Sequence, residues 1–595
     1  MLTPVFMLAA SLAVTQAADS IDAVTITAEK GMVVSMTDTI RISGGDISEA
    51  LQILPSLYVN DYGGLSGLRS VSMRGLGSTH TAIFIDGIRV NNLQTGQADL
   101  GMTDLPVFAS TVVDYAQNSL NFKTERPVFG HGPVSGRLSM EAASFDTWMP
   151  AARLDLRLSD RVAMSLSASA VLTEGDFIYG DGQRRENNDL RQLRAGMDLF
   201  GSMHGGEWQA KLYWNGAGRT SPGAVDWPSV SSQDDRNVFV QGRLQKRFSR
   251  LYSLNLSAKA AMDRLDYADE WSESDYDQKE LQLNSSHSFD IFSWWRLSLS
   301  ASVLWNRLSS SLYEGGRTSV ISAAATSFSL GRFRAELALE YDGTFEDART
   351  PVNALSPSLG LSWAPARALE LRAFARRACR VPTFNELYYP GYGNTALRPE
   401  DAWLTDLGIR WSRSLGTEWK FEARLDGFYN LLKDKIVSAP TEENPSIWLP
   451  YNVGRVEAAG LDASLALRWS DGLWNAGMSA AYSLQDAEDR TPGGSSYGRQ
   501  ISGTPRHSLN LAADVMRKGW QLSAVWSYRG GRMDSTGELP DWNTLDLRMG
   551  RKFSCGDSEV NVYLKARNLG DCRYEIVRGY PAPGRSLLLG AEFKF

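Results

Sequence analysis

The sequence predicts a transmembrane β-barrel of about 22 antiparallel strands with an N-terminal α/β plug domain inside the lumen. Three observations predict it. From about residue 150 to the end the chain repeats one pattern, some ten residues of alternating apolar and polar side chains and then a polar break. Mean hydropathy is −0.26 over 595 residues, and no internal apolar run approaches the ~18–20 residues of a membrane helix. The first 150 residues have a different texture, and a barrel of this size is too wide to fill its own interior.

The strands come first. In 296–305 one face reads Leu297, Leu299, Ala301, Val303 and Trp305, and the other Arg296, Ser298, Ser300 and Ser302. Segments 332–341, 419–426, 461–469, 508–515, 560–567 and 586–595 alternate in the same way. A period of two puts each set on one face of a strand. Strands of ~10 residues match the ~9–11 of a tilted membrane strand and exceed the ~5–6 usual in soluble sheets. Trp305, Tyr341, Trp419 and Trp469 sit near the ends of apolar faces, as interfacial girdles require. The opposite faces carry charge of both signs, which a wet lumen can solvate and a sandwich core cannot bury unpaired. The chain ends inside its last strand, Leu587 to Phe595, as closure without an open edge in lipid requires. Polar stretches 217–236, 386–402, 438–452 and 484–504 read as long outer loops between short inner turns.

At the N-terminus, PVFMLAASLAV (4–14) followed by Thr15-Gln16-Ala17-Ala18 reads as a signal peptide over 1–18. A linker follows over 19–45, then the plug at 46–145 and the barrel at 146–595. Asp46-Ile47-Ser48-Glu49 resembles a capping pair before a stripe of Ile47, Ala50, Leu51 and Leu54, and Pro55 ends that helix. Asp86-Gly87 between Ile83-Phe84-Ile85 and Ile88-Arg89-Val90 marks a two-residue hairpin. With Cys379, Cys555 and Cys572 alone there is no disulfide framework, although Cys555 and Cys572 could pair across neighbouring strands.

Composition removes other classes. The net charge is −7, whereas nucleic-acid binders show a basic footprint. Only five histidines leave few general bases to build an enzyme from. No phosphate-binding G-x-x-x-x-G-K-[ST] loop is present, so energy for any uphill transport must come from elsewhere.

ILPSLYV (53–59) and SMRGLGSTHTAIFIDGIRVNN (72–92) resemble the plug of TonB-dependent outer-membrane receptors. RVPTFNELYYPGYGNTALRPE (380–400), YNVGRVEAAGLD (451–462) and RNLGDCRYEIVRGYPAPGRSLLLGAEFKF (567–595) resemble their barrel. The resemblance implies a non-enzymatic transporter in the outer membrane of a Gram-negative bacterium. It also implies a Ton box at Asp22, Ala23, Val24, Thr25, Ile26, Thr27 and Ala28, which adds as a strand to periplasmic TonB and its inner-membrane energising complex. Arg74, Gly75, Asp86 and Gly87 fall in the plug motif as structural residues. Ligand contacts are expected from outward plug loops: Tyr62, Gly63, Leu65 and Ser66 in one, and Asn91, Asn92, Gln94, Thr95 and Gln97 in the other. These offer amides, hydroxyls and close backbone approach to a bulky metal chelate. GQADLGMTDLP (96–106) is most similar to the cobalamin receptors of the family; a ferric siderophore is the rival ligand and a passive porin the rival class. Haem is disfavoured, since none of His80, His131, His204, His287 and His507 lies within 380–400. The usual plug-closing motif is altered over 115–140, where Phe129-Gly130 and Gly136 remain. No cofactor is expected beyond calcium held by Asp176, Asp181, Glu186 and Asp189, and the long loops offer a dock for a surface lipoprotein.

Overall fold

A computed structural model describes residues 37–41, 47–103, 108–130, 132–347, 349–440, 448–493, 496–534 and 537–595. Twenty-two antiparallel strands form a closed barrel, and neighbours in sequence are neighbours in the sheet all the way round. The first strand, Val134–Ala143, pairs with the last, Ser586–Lys594, from Lys594↔Arg137 to Leu588↔Ala143, so no edge remains. Alternation points outward as expected: Leu299, Val303 and Trp305 are exposed while Ser298, Ser302 and Asn306 are buried toward the lumen. At one end the hairpins close in tight turns, such as Lys518-Gly519, where both residues have positive φ. Near that end Trp419 and Trp469 pack tilted with ring centroids 6.0 Å apart, and Phe292, Trp294, Trp295 and Phe328 form a second aromatic patch. The other end carries the long connections, among them 174–189, 381–399 and 568–585.

Three expectations are corrected. Segment 217–236 is a hairpin, Gly206–Ala224 against Trp227–Arg247, rather than a loop. Strands reach 23 residues, as in Trp448–Ser470, because many continue beyond the ~9–11 residues that cross lipid. Above the membrane both faces meet water, so alternation stops while backbone pairing continues. The barrel also begins at Val134 rather than 146. Val134, Leu138 and Met140 already face outward as a first stave. Gly136 therefore belongs to the closing seam: a Cβ there would meet the Phe595 ring at 2.4 Å, and the two residues exchange backbone bonds of 2.9 and 3.1 Å. None of the three cysteines forms a disulfide.

The plug sits inside the lumen. Its main sheet runs Thr37–Arg41, Phe108–Asp114, Ser119–Thr124, Ala82–Ile85, Ile88–Arg89, and a second hairpin pairs Leu57–Asp61 with Arg69–Met73. Helix Ile47–Gln52 packs Ile47 and Leu51 onto Val59, Val71, Met73, Ile83, Ile85, Val113, Leu120 and Phe122, a conventional apolar core. Asp86-Gly87 makes the two-residue hairpin with both φ positive, and the Asp86 carboxylate accepts from Thr124 N at 2.8 Å.

Candidate functional site

On one arc of the wall the plug is held by a charge cluster. Arg74 has a left-handed backbone (φ 50°), which turns its side chain out of the hairpin toward the barrel. Its guanidinium meets Asp406 at 2.6 Å and Asp462 at 3.2 Å, between the rings of Tyr115 and Phe428. Ser56 donates to Asp462 at 2.5 Å and lies 2.7 Å from Ser483 Oγ, and Asn430 donates to the Arg74 carbonyl. Gly75 (φ 73°) lies so close that a Cβ would come within 3.0 Å of the Ala458 and Ala487 methyls. A buried ion cluster of this kind adds little net stability when complete, but losing one partner strands the others. Elsewhere Arg529 and Asn510 donate to the Gln52 carbonyl and so cap the end of the plug helix.

At the long-loop end a short helix, Phe384–Tyr388, rests on the plug. Thr383 and Glu386 form a capping box, and the free amides of Phe384 and Asn385 donate to the plug carbonyls of Leu93 (3.3 Å) and Gln94 (3.1 Å). Arg380 bridges Glu386 and Glu400, and Glu400 in turn holds His80 of the plug. Tyr276, Tyr313, Phe384, Tyr388 and Tyr389 cluster beside this helix, and Tyr313 donates to Asn385 at 2.6 Å. Burial, together with the adjacent Glu346 carboxylate, raises the Tyr388 hydroxyl to about 12.

The predicted contact residues divide. Thr95 is exposed at the tip of its loop, whereas Gln94 is buried beneath the outer helix. Asn92 accepts from Gln94 N and Thr95 N, and Gln97 accepts from Ser78. Asn91 accepts from Ile83 N (2.7 Å) and donates to the Thr81 carbonyl (2.9 Å), so it braces the loop beside the cavity it lines. In the other loop the Asp61 carboxylate accepts from Gly63 N and Gly64 N, and Tyr62 meets Tyr580 of an outer loop edge-on at 5.4 Å. Ser66 is buried and donates to Asn188 at 2.5 Å, while Leu65 packs with Val171 and Leu190. Tyr313, Asn385, Tyr388, Asn188 and Tyr580 were missed from sequence; only the T-x-x-E spacing of Thr383 and Glu386 pointed to a helix there. Around the proposed calcium loop, Asp176 pairs with Arg184 and Asp189 accepts from Thr220. Among the described residues no three acidic, His or Cys ligands converge.

Among the described residues, cavities flank the plug. One of about 160 Å³ lies under the outer helix, between Thr79, His80 and Asn92 of the plug and Arg317, Cys379 and Arg380 of the wall. One of about 350 Å³ follows the seam where the barrel closes.

Residues 27–124 match the family described as TonB-dependent Receptor Plug Domain, and residues 89–569 match TonB dependent receptor-like, beta-barrel. The chain belongs to the TonB-dependent receptors. It is accordingly an outer-membrane transporter of a Gram-negative bacterium, with a plugged lumen rather than the open channel of a porin. It is 22% identical to the vitamin B12 transporter BtuB of Vibrio vulnificus, over 92% of this chain and 89% of that one. It is also 22% identical to BtuB of Photobacterium profundum, over 95% and 92%. Among solved structures, the copper transporter OprC superposes with a TM-score of 0.77 at 14% identity, covering 94% of this chain and 99% of that one. The ferric enterobactin receptor PfeA of Pseudomonas aeruginosa gives 0.75 at 15%, covering 95% and 98%. These structural likenesses speak for the fold alone. The expected Ton box, 22–28, lies outside the described residues.

Proposed function

We propose that this receptor takes up cobalamin or a close corrinoid across the outer membrane, unchanged and at the expense of TonB-delivered energy. The observation that carries the ligand class is the charge balance of the outer mouth. Arg219 is matched by Asp99 and Asp235, Arg317 by Glu346, Arg380 by Glu386 and Glu400, and Arg578 by Asp534. A strongly anionic tris-catecholate chelate calls for uncompensated cations at its seat. A bulky, amide-fringed ligand of nearly compensated charge suits the tyrosines and loop amides found there. End-to-end kinship with vitamin B12 transporters supports the same reading. Residues 22–28 would couple the plug to TonB, and the exposed Trp227 and Trp271 at outer hairpin tips would serve an accessory surface lipoprotein.

The test is binding of radiolabelled cyanocobalamin to the purified receptor, set against a panel of ferric siderophores. Tight cobalamin binding that siderophores do not displace supports the assignment. Tight binding of a ferric siderophore with none of cobalamin overturns it.

A further inference from the structure

We infer that the ligand leaves the mouth along the closing seam of the barrel, through the larger cavity, and that Glu49 latches that passage shut. The inference rests on the transport reading and adds the route and its latch.

The cavity has the height for a passage. Its lining runs from Phe145 and Pro583 in outer loops down to Arg137 and Glu592 at the inner part of the first and last strands. On the first strand alone it spans Ala143 to Arg137, 143 − 137 = 6 residues, or ~20 Å at ~3.3 Å per residue. At about 350 Å³ it is too narrow for a large chelate as it stands, so one wall must move.

The wall is built for a polar occupant. Ser169 Oγ, Arg194 Nε and Trp542 Nε1 line the cavity, are buried and have no hydrogen-bond partner among the described residues. Buried polar groups left in that state are costly unless water or a ligand's polar edge reaches them. They come from three strands on both sides of the seam, so a single misplaced side chain does not account for them.

The movable wall is the plug helix. Ser48, Glu49, Gln52 and Ile53 form the plug side of the cavity at this height. Among the described residues, the ion pairs that bind this helix to the barrel run through Glu49, to Lys565 and Arg567. The helix is also the first described helix after the segment expected to bind TonB; Ile47 follows Ala28 by 47 − 28 = 19 residues. Traction from the N-terminus therefore reaches this wall before the Arg74 cluster, which is held by two aspartates, two aromatic rings and Ser56. The smaller cavity is covered by the outer helix through its bonds to Leu93 and Gln94, and its described lining begins only at Leu76.

Paired cysteines test the route in energised cells carrying TonB, on a background with the three native cysteines replaced. Ser66→Cys with Asn188→Cys pins the plug at the outer end of the seam. Ser56→Cys with Ser483→Cys pins it at the Arg74 arc. The seam cross-link is expected to abolish cyanocobalamin uptake until reductant is added, and the other to leave uptake intact. Uptake surviving the seam cross-link, or lost equally in both, overturns the route.

A readout without ligand separates this from the cobalamin assignment. Ser169→Cys should gain severalfold in maleimide labelling when cells are energised, and Ala458→Cys on the Arg74 arc should not. Glu49→Gln should raise Ser169→Cys labelling without energisation. Labelling that rises at Ala458→Cys alone, or a Glu49→Gln variant that leaves Ser169→Cys unchanged, overturns the proposal even where cyanocobalamin is transported. A receptor that takes up no cyanocobalamin yet shows the expected labelling keeps the route and loses the ligand.

Discussion

The plug and the barrel hide opposite things. The plug buries Leu120 and Phe122 completely and turns polar groups outward. The barrel shows Leu299, Val303 and Leu407 to the outside and turns Ser302, Asn306 and Asp426 inward. One hydrophobic effect acts on both, but the plug's solvent is water and the barrel's outer solvent is lipid. The interface between them is mixed: Phe239, Leu404, Leu432 and Val456 of the wall join the apolar core of the plug, and hydrogen bonds and ion pairs, which a partner's pull can exchange for water, hold the rest.

The sharpest break of this comparison is to cut the plug off from its drive. Val24→Pro removes a backbone donor from the expected TonB-pairing strand and should abolish uptake while leaving binding intact. Unchanged uptake by that variant would remove the coupling role of 22–28. Next in size is Arg74→Ala, which strands Asp406 and Asp462 against the plug and should weaken plug docking by about 3–5 kcal/mol. Hydrogen exchange should show plug amides losing protection while barrel strands keep theirs; joint loss would mean that plug and barrel form one cooperative unit.

Matched substitutions on the two sides sharpen the contrast. Leu120→Ala in the plug core should cost about 2–5 kcal/mol as a cavity. Leu299→Arg on the lipid face should cost about 2–4 kcal/mol in vesicle refolding if it lies near the bilayer centre.

The smallest effect is a pH dependence confined to the plug. Burial pushes the Asp114 carboxyl up to about 6, against hydrogen bonds from Gln117 N and Ala116 N and the charge of Arg376. The folded value lies above the unfolded one of ~3.9, so the folded plug holds the proton more tightly. Its contribution to stability is full below pH ~3.9 and is lost as pH rises through about 6. Asp114→Asn keeps the acceptor for both amides and removes the charge. It should raise plug protection at pH 7 by up to about 3 kcal/mol and flatten its dependence between pH 4 and 6. An equally steep profile in the variant would assign the effect to another group.

Legibility followed the solvent. Strands such as Trp295–Ser310 were readable because lipid on one face and water on the other force alternation residue by residue. The 217–236 hairpin was not, since water bathes both of its faces, and the first stave was assigned to the plug because the plug resemblance ran up to it. In the candidate site the Asp86-Gly87 turn was readable, being local chemistry. The bracing role of Asn91 was not, because an amide in a loop looks the same in sequence whether or not it also holds its own backbone, as Asn91 does at Ile83 and Thr81.

By itself, the sequence determined that the chain is a lipid-facing barrel with a separate plug, since period, strand length and turn chemistry are set by neighbours a few residues apart. Only the tertiary structure decided which groups meet across the lumen. Arg74 and Asp462 are 388 residues apart and Tyr313 and Asn385 are 72 apart. No local pattern encodes such pairs, because they exist only once the sheet has closed. The seam cavity is of the same kind: it is the space left where the first and last strands join beside a plug that does not fill it.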